Sequence, residues 1–330
     1  MATPTYDLLG IGNAIVDVVA RADENFLSRQ NMHKGAMALI DAATAEKLYA
    51  AMPPGLESSG GSAANTCAVA ASLGARVAYL GKVAKDQLGD VFRHDITAAG
   101  VHFPTAPATT GAPTARCLIL VTPDGQRTMN TFLGACISFG PADIDENLIK
   151  SAAVTYLEGY LFDPPAAQAA FRAAAASAHA AGRQVALSLS DAFCVDRHRA
   201  AFRALVTQDV DILFANESEI CALYEENDFT SAAEAARRDV ALAALTRSEA
   251  GSIILRGAET LEIAAHPTQV VDTTGAGDAY AAGFLTAFTQ GRDLATAGAL
   301  ASLAAAEAIA HIGGRPQTNL RTRAAALLKT

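Results

Sequence analysis

The chain has 330 residues, of which 51% are hydrophobic, and its mean hydropathy is +0.21. Its 34 acidic and 25 basic residues give a formal net charge of −9, which argues against nucleic acid as a partner because phosphate backbones bind basic surfaces. No apolar run approaches ~20 residues, so no membrane span is expected. Residues 1–5 lack the charged and apolar regions of a signal peptide, which predicts a cytoplasmic protein. The five scattered cysteines include no Cys-x-x-Cys pair and indicate free thiols rather than a disulfide framework or a zinc site.

Apolar segments of strand length alternate with alanine-rich helical segments along most of the chain. The predicted strands span residues 7–11, 77–80, 154–158, 185–190, 211–214, 241–246 and 252–256. Helices are predicted between them, for example over 165–181 and 231–238. This alternation predicts an α/β fold with a mostly parallel sheet covered by helices on both faces. In such sheets ligands bind beyond the carboxyl ends of the strands.

Residues 113–133 depart from this rhythm. Two alternating segments, 116–121 and 127–132, flank the turn sequence Pro123-Asp124-Gly125. They predict an antiparallel hairpin that stands off the main sheet.

The hairpin and extended segments between residues 14 and 40 are expected to form a small β-sheet lid. The predicted lid is 14–40 and 113–133, and the predicted large α/β nucleotide-binding domain is 1–13, 41–112 and 134–330. The lid is interpreted as an insertion into one core, not as a separable domain.

Polar residues that suit a sugar acceptor follow the first strand and a glycine pair. Asn13 and Asp17 come after the first strand, and Asn65 comes shortly after Gly60 and Gly61. A carboxylate accepts from two hydroxyls, an amide both donates and accepts, and glycines let the backbone approach a ligand. These residues therefore predict a site for a vicinal diol.

Other readings of the same residues remain open. Gly10-x-Gly12 could begin a dinucleotide-binding loop, although isoleucine stands where a third glycine is wanted. Asn65 could cap a helix over 66–74, alone or together with a binding role. Asp17 could be an ordinary surface acid.

The most informative stretch is residues 271–285, which have the sequence VDTTGAGDAYAAGFL. Gly275, Ala276 and Gly277 are small enough for backbone N–H groups to surround an anion, and the helix that they open adds positive charge. Asp278 places a carboxylate at the same point, where it could take a proton from a hydroxyl that attacks phosphorus. The alternative is that Asp278 only interacts with the first turn of the helix.

Two helices are predicted in this part of the chain. The first follows Asp278 and ends at Gly291. The second covers about 294–310 with Asp293 as its N-cap, and residues 311–316 then break the pattern.

Further polar residues are candidates for the phosphate side of a site. Arg127 lies just past the lid turn, where it could swing over phosphates and neutralise charge, or be an exposed hairpin arginine. Asn216-x-x-Glu219 follows a predicted strand and is also typical of a helix capping box. Three more candidates for lining an ATP site flank predicted strands: Thr246, Arg247 and Gly251.

The segment from Asp272 to Asp278 resembles the C-terminal motif of the ribokinase-like (phosphofructokinase-B-type) carbohydrate kinases. The pair Gly60-Gly61 followed by Asn65 resembles the other motif of that family. Within the family the nearest resemblance is to adenosine kinases, and it extends from about residue 6 to residue 316. It implies a three-layer sandwich with a β-sheet lid and ATP-dependent phosphorylation of the 5′-hydroxyl of adenosine.

The resemblance also implies roles for individual residues. Asp17 would bind the ribose hydroxyls with the help of Asn13, Gly60, Gly61, Ser62 and Asn65. The base pocket would include Met37, Leu39, Leu133 and Tyr160, although an aromatic residue after a strand is also typical of a core. Asp278 would be the general base, with Gly275, Ala276 and Gly277 as the anion hole. ATP would contact Asn216, Thr246, Arg247, Gly251, Gly275 and Gly277.

The cofactors implied are Mg²⁺, held through water by Asn216 and Glu219, and K⁺ as an open alternative at Asp272 and Thr274. The implied partners are a nucleoside and ATP, and the family contains both monomers and lid-paired homodimers. Three functions stay open: an adenosine kinase, a kinase for guanosine, inosine, ribose or fructose, and a nucleoside-binding protein without activity.

Overall fold

The computed structural model describes residues 3–328, so the outer limits predicted at residues 1 and 330 lie outside the described residues. The strands are β1 (Tyr6–Ile11), β2 (Ile15–Arg21), β3 (Met37–Leu39), β4 (Leu56–Gly60), β5 (Val77–Leu80), β6 (Val101–His102), β7 (Ala115–Val121), β8 (Arg127–Phe132), β9 (Ala152–Glu158), β10 (Gln184–Ser188), β11 (Ile212–Asn216), β12 (Leu242–Thr246), β13 (Ser252–Arg256) and β14 (Glu259–Ile263). The helices are α1 (Glu24–Arg29), α2 (Ala42–Ala51), α3 (Ser62–Ser72), α4 (Gln87–Ala98), α5 (Glu146–Lys150), α6 (Pro165–Ala180), α7 (Ala192–Asp209), α8 (Glu217–Tyr224), α9 (Phe229–Asp239), α10 (Ala276–Thr289), α11 (Leu294–Ile309), α12 (Leu320–Arg323) and α13 (Ala325–Leu328).

Nine strands form the central sheet in the order β14-β13-β12-β11-β10-β9-β1-β5-β6. The seven strands from β12 to β6 are parallel to their neighbours, and β13 and β14 continue the sheet antiparallel. All seven predicted strands of the main sheet are therefore confirmed. The short edge strands β6 and β14 were not predicted, because neither is long and apolar enough to stand out in the sequence.

Helices cover both faces of this sheet, as the continuous burial of its strands requires. Leu8 of β1 packs into one hydrophobic cluster and Leu9 packs into the other, since successive side chains of a strand point to opposite faces. The result is a three-layer α/β sandwich of the ribokinase-like class, and the predicted fold class is confirmed. Among residues 3–328, no helix has both the length and the apolar content that a bilayer span requires.

A second sheet of five strands, in the order β3-β8-β7-β2-β4, stands apart from the first. The predicted hairpin is present as β7 and β8, which pair antiparallel from Arg116↔Phe132 to Val121↔Arg127. The strand β4 also belongs to this sheet through its pairing with β2, whereas the predicted boundaries place residues 41–112 in the large domain. The sequence of β4, LESSG, is half polar and lacks the alternation that marks a strand.

The helix starts and ends test two further predictions. Asp293 caps α11 by accepting a hydrogen bond from Thr296 N at 2.7 Å, as predicted. The alternative that Asn65 caps a helix over 66–74 is wrong, because α3 begins three residues earlier at Ser62. Gly61, whose φ of 95° lies in the left-handed region, ends the preceding extended segment and leaves Asn65 inside the helix.

Candidate functional site

The candidate site lies where the carboxyl end of β1, the first turns of α3 and α10 and the small sheet meet. Asp278 occupies the first turn of α10, and its Oδ1 accepts a hydrogen bond from Ser62 Oγ of α3 at 2.6 Å. These two residues are 216 positions apart in the chain. The two glycine motifs therefore converge on one carboxylate.

The backbone before Asp278 is shaped by small residues. Gly275 has a φ of 76°, and a Cβ there would lie 2.3 Å from the carbonyl oxygen of Gly314. A Cβ on Gly277 would meet no atom within 4 Å among the described residues. Gly275 is thus required by the protein itself, whereas Gly277 borders open space next to the start of a helix. Such a helix start attracts anions.

The glycine pair before α3 makes room for the polar residues of the acceptor side. A Cβ on Gly60 would lie 2.3 Å from Oδ2 of Asp17, which lies on β2 two residues after Ile15, the cross-strand partner of Gly60. A Cβ on Gly61 would lie 2.1 Å from the backbone oxygen of Asn13. Any other residue at either position would displace Asp17 or Asn13.

Asn13 is held by a carboxylate that sequence reasoning missed. Its Nδ2 donates to Glu158 Oε1 at 2.8 Å, and its backbone N also donates to Oε1, at 3.3 Å. Glu158 Oε2 accepts from Ala63 N at 2.8 Å, and a Cβ on Gly12 would lie only 2.2 Å from that oxygen. Because Nδ2 is engaged, the Asn13 Oδ1 is the end of the amide that is left for a ligand. The signal in the sequence was an acid at the last position of a buried strand.

Arg315 was also missed, although it contacts a predicted residue. Its Nε donates to Oδ1 of Asn65 at 2.8 Å, and its Nη2 donates to the backbone oxygen of Ser59 at 2.6 Å. The segment 311–316 was predicted only to end the helical pattern. A cation after Gly313-Gly314 was the available signal, but nothing in the sequence indicates what it contacts.

Burial raises the pKa of several carboxyl groups in this site. The pKa of Asp278 is raised to about 6 by burial, against hydrogen bonds from Ser62 and Asn65 that lower it, and the charge of Asp17 raises it further. The pKa of Asp17 is also raised to about 6 by burial, and the charges of Arg315 and Arg127 oppose that rise. Carboxyl groups with such values change protonation just below neutral pH, where a general base is useful.

The lid arginine is paired with the first residue of the C-terminal motif. Arg127 Nη1 lies 2.7 Å from Asp272 Oδ2, and both side chains are less than a tenth exposed. Asp272 also accepts from Gly313 N at 2.9 Å and from Thr274 N at 3.0 Å. Burial raises the pKa of Asp272, but these bonds and the charge of Arg127 hold it below the usual range. Arg127 Nε is buried and has no hydrogen-bond partner within residues 3–328.

This arrangement does not fit Asp272 as the ligand of a monovalent cation. Its carboxylate already accepts from three donors, and the guanidinium of Arg127 supplies the positive charge. The K⁺ site at Asp272 and Thr274 stays a prediction that these contacts do not favour.

Asn216 and Glu219 form the capping box that was one of their two predicted readings. Asn216 Oδ1 accepts from Glu219 N at 2.9 Å, and Glu219 Oε2 accepts from Asn216 N at 3.0 Å. Burial raises the pKa of Glu219 to about 7, and the charges of Asp191 and Asp278 add to the rise.

The carboxylates of Asp191 and Asp278 repel that of Glu219, and a hydrated Mg²⁺ near them would reduce this repulsion. Such an ion needs only one or two protein oxygens. No group of three His, Cys, Asp or Glu side chains within residues 3–328 forms a direct metal cage. An ion held through its own water would not require one.

The three further candidates for an ATP site lie at the ends of strands: Thr246 at the end of β12, Arg247 directly after it, and Gly251 directly before β13. Thr246 ends β12, and Arg247 stacks over Phe229 at 4.5 Å while its Nε lies 3.6 Å from Glu217. Gly251 has a φ of 83°, and a Cβ there would lie 2.1 Å from the backbone oxygen of Ile263, so a structural need explains it.

The four candidates for a base pocket are dispersed over three segments. Met37 and Leu39 lie on β3 of the small sheet and are 54% and 59% exposed. Leu133 is half-buried directly after β8, and Tyr160 is 40% exposed in a 3₁₀ turn after β9. Exposed apolar side chains can serve a ligand, but no contact joins these four into one slot, and their role stays a prediction.

The three-layer fold, the small sheet and the convergence on Asp278 define an α/β kinase. Residues 44–320 match the pfkB family of carbohydrate kinases. The crystal structure of adenosine kinase from Sinorhizobium meliloti is 54% identical with a TM-score of 0.89, over 97% of this chain and 99% of that one.

Two curated relatives extend the comparison. Adenosine kinase of Saccharomyces cerevisiae is 27% identical over 332 residues, or 94% of this chain and 96% of that protein. ATP-dependent ribose-1-phosphate kinase of Halopiger xanaduensis is 31% identical over 234 residues, or 69% of this chain and 73% of that protein. The chain belongs to the pfkB carbohydrate kinase family, and it is a nucleotide-binding phosphotransferase that acts on hydroxyl groups with ATP as co-substrate.

Proposed function

We propose that this protein transfers the γ-phosphoryl group of ATP to the 5′-hydroxyl of adenosine, giving AMP and ADP. The observation that carries the proposal is the position of Asp278, a half-buried carboxylate at the start of α10 that also reaches Ser62 of the acceptor side. Asp278 takes the proton of the 5′-hydroxyl, the oxygen bonds to the γ-phosphorus, and the bond from that phosphorus to ADP breaks. The similarity to the S. meliloti adenosine kinase supports adenosine as the acceptor.

The charge on the moving phosphoryl group needs donors that are already in place. The backbone N–H groups of Gly275 to Asp278 supply them at the helix start. Arg127 adds a second source: its Nη1 donates to Asp272, and its Nε, which is buried and has no hydrogen-bond partner within residues 3–328, would donate to a phosphate oxygen once it becomes accessible. Mg²⁺, held through water near Asn216 and Glu219, would neutralise part of the charge of the ATP phosphates when bound.

On the acceptor side, the carboxylate of Asp17 and the Oδ1 of Asn13 accept hydrogen bonds from the ribose hydroxyls. This assignment is supported by the space that Gly60 and Gly61 leave for both residues. The lid sheet that carries Asp17 also carries Arg127, so closure of the lid over a nucleoside would complete the phosphate site at the same time.

The direct test is an ADP-coupled assay with adenosine, guanosine, inosine, ribose, fructose and ribose 1-phosphate at equal concentrations. We expect kcat/KM to be highest for adenosine, and ATP hydrolysis without an acceptor to be very low. A higher value for a sugar or a sugar phosphate would overturn the assignment of the acceptor but not the class of reaction.

The second candidate is a kinase for another nucleoside or a sugar phosphate. The similarity to the ribose-1-phosphate kinase favours including it, since the two relatives are named for different acceptors. Lack of turnover with every acceptor, with adenosine still bound in a thermal-shift assay, would instead favour a binding protein.

A further inference from the structure

The C-terminal segment places one guanidinium at the boundary between the lid, the core and the acceptor side. Arg315 is three-quarters buried, with a side-chain exposure of 25%. Its Nε donates to Asn65 of α3, and its Nη2 donates to both the backbone oxygen and the hydroxyl of Ser59 on β4, at 2.6 and 3.0 Å. Its Nη1 lies 3.4 Å from Asp95 Oδ2 on α4. One side chain therefore connects three elements that each lie 220 or more positions away from it in the sequence.

The bond from Arg315 decides which way the Asn65 amide faces. Because the Oδ1 of Asn65 accepts from Arg315 Nε, the Nδ2 end points away from the guanidinium. Asn65 lies three residues after Ser62 on α3, and the Ser62 hydroxyl donates to Asp278 Oδ1 at 2.6 Å; the Asn65 amide itself lowers the pKa of Asp278. Arg315 is thus linked to the proposed general base through a single amide.

The charge of Arg315 also acts directly on the two acceptor-side carboxylates. Arg315 donates to Ser59, which precedes the Gly60 that lies against Asp17, and the charges of Arg315 and of Arg127 on β8 lower the pKa of Asp17. Asp278 faces Asp17, Arg315 and the acids Glu158 and Glu219 of neighbouring elements, and Arg315 is the cation among these groups.

The positive charge of Arg315 offsets the repulsion between carboxylates that lie close together when they are ionised. The pocket has an excess of acidic groups, four of which have a pKa raised to about 6 or about 7: Asp17, Glu158, Glu219 and Asp278. Arg315 itself is balanced by Asp95 and Asp17, although burial lowers its pKa.

We propose that Arg315 is a positioning residue for phosphoryl transfer: it orients the Asn65 amide toward Asp278, and it supplies the positive charge that Asp17 and Asp278 share. The inference rests on the proposed function, because it assigns Asp278 as base and Asp17 as the acceptor ligand. Arg315 is not a second anion site, since Nε, Nη1 and Nη2 each already face a protein oxygen.

The first experiment separates charge from geometry in three variants. Arg315→Met removes both the positive charge and the hydrogen-bond donors. Arg315→Gln keeps a hydrogen-bond donor without the charge. Arg315→Lys keeps the charge but lacks the planar guanidinium with its several donors. Arg323→Met is the matched control, because Arg323 pairs with Glu307 on the same C-terminal segment but away from the acceptor carboxylates.

The expected readout is the pH dependence of kcat/KM for adenosine. Loss of a nearby opposite charge raises a carboxyl pKa by about 1 unit or more. The acid limb should therefore move to higher pH by about 1 unit in Arg315→Met and Arg315→Gln, and stay in place in Arg315→Lys and Arg323→Met. Arg315→Lys should instead raise KM for adenosine several-fold, because Asn65 is no longer fixed. A stabilising role alone would lower the melting temperature of the Arg315 variants and leave every acid limb unchanged, which overturns the proposal.

The second experiment does not depend on the acceptor. Titration of ¹³C-labelled aspartate carboxyl groups in the unliganded protein, assigned with Asp17→Asn and Asp278→Asn, should give higher pKa values in Arg315→Met than in wild type. Unchanged values for both aspartates would reject the electrostatic part. If the pKa values are higher in Arg315→Met but the wild type does not turn over adenosine, the electrostatic role of Arg315 stands and the proposed function is rejected.

Discussion

The helices α8 and α10 begin in the same way and differ in what their first turns bind. Each has an acid at its third position, Glu219 in α8 and Asp278 in α10. In α8, Glu219 and Asn216 satisfy each other's backbone N–H groups in a capping box. In α10, no side chain within residues 3–328 caps the start, and Asp278 turns to Ser62 of another helix.

The backbone N–H groups at the start of α8 are satisfied by the protein, whereas those at the start of α10 are available to a ligand. The free N–H groups at a helix start must find partners, and in α8 the chain itself provides them. In α10 they are left beside Gly277, where a side chain would meet no atom of the described residues within 4 Å. These donors lie at an exposed helix start next to a half-buried carboxylate and are available to an anionic ligand.

The largest loss of activity is expected from a substitution at Asp278. Asp278→Asn keeps size and one acceptor oxygen but removes proton affinity, and general base catalysis is worth about 10²–10⁴ in rate. We expect kcat to fall by that factor, with little change in the Kd for adenosine, measured by steady-state kinetics and calorimetry. A variant with nearly normal kcat would remove Asp278 from the role of base.

The same variant, which loses activity, should gain stability at high pH. The pKa of Asp278 is about 6 in the folded protein against 3.8 for an ordinary aspartate. The folded state thus binds the proton more tightly, so the stability linked to this group is present below about pH 4 and is lost as pH rises through 6.

At pH 8, Asp278→Asn should therefore raise the free energy of unfolding, by ~3 kcal/mol at most, and the gain should shrink toward pH 4. Denaturant unfolding at both pH values checks this. A loss of stability at pH 8 would mean that the carboxylate is structural, like Glu219.

The next largest effect is expected at Gly277. A methyl group there meets nothing in the protein and should stabilise the helix by about 0.5–1 kcal/mol, as alanine does relative to glycine. It would enter the space of the proposed anion, and displacing a phosphoryl group by ~1 Å costs about 10²-fold in rate. We expect Gly277→Ala to have a slightly higher melting temperature and to lose kcat to that extent.

Gly275→Ala is the contrasting control, because its φ of 76° and the carbonyl of Gly314 oppose any side chain. It should lose stability as well as activity. Normal turnover by Gly277→Ala would show that the phosphoryl group does not occupy this space.

A smaller effect, on stability, is expected at Asn216. Asn216→Ala removes the cap of α8 and should lower the free energy of unfolding by about 1 kcal/mol, whereas Asn216→Ser keeps a capping oxygen and should lose less. At saturating Mg²⁺, kcat should change little in either variant. A Mg²⁺ half-saturation concentration that rises in both would support the water-mediated role, and unchanged stability in Asn216→Ala would contradict the capping role.

The sequence predicts those parts of this molecule that depend on near neighbours. The seven main strands, the cap of α11 and the hairpin around Pro123-Asp124-Gly125 all follow from local patterns. The strand β4 does not, because its five residues join the lid only through pairing with β2.

The candidate site shows the same limit. Asp278 lies in a motif and was predicted, while Glu158 and Arg315 act on predicted residues from 145 and 250 positions away. The predicted roles of Arg127 and Asp272 were assigned separately, one to phosphate and one to a cation. Nothing in the sequence indicates that these two charges neutralise each other.

That ion pair leads to the smallest expected effect. A buried aspartate needs a compensating positive charge, and Arg127 provides one to Asp272. We therefore expect kcat/KM of the wild type to differ by less than about twofold between K⁺, Na⁺ and tetramethylammonium chlorides at equal ionic strength, since screening is then constant. Arg127→Met should lose activity and become responsive to K⁺, because its Asp272 carboxylate is left without a cation while the oxygens of Asp272 and Thr274 remain. If instead the wild type requires K⁺ and Arg127→Met shows no new dependence, the cation site predicted from the sequence is correct and the ion pair does not replace it.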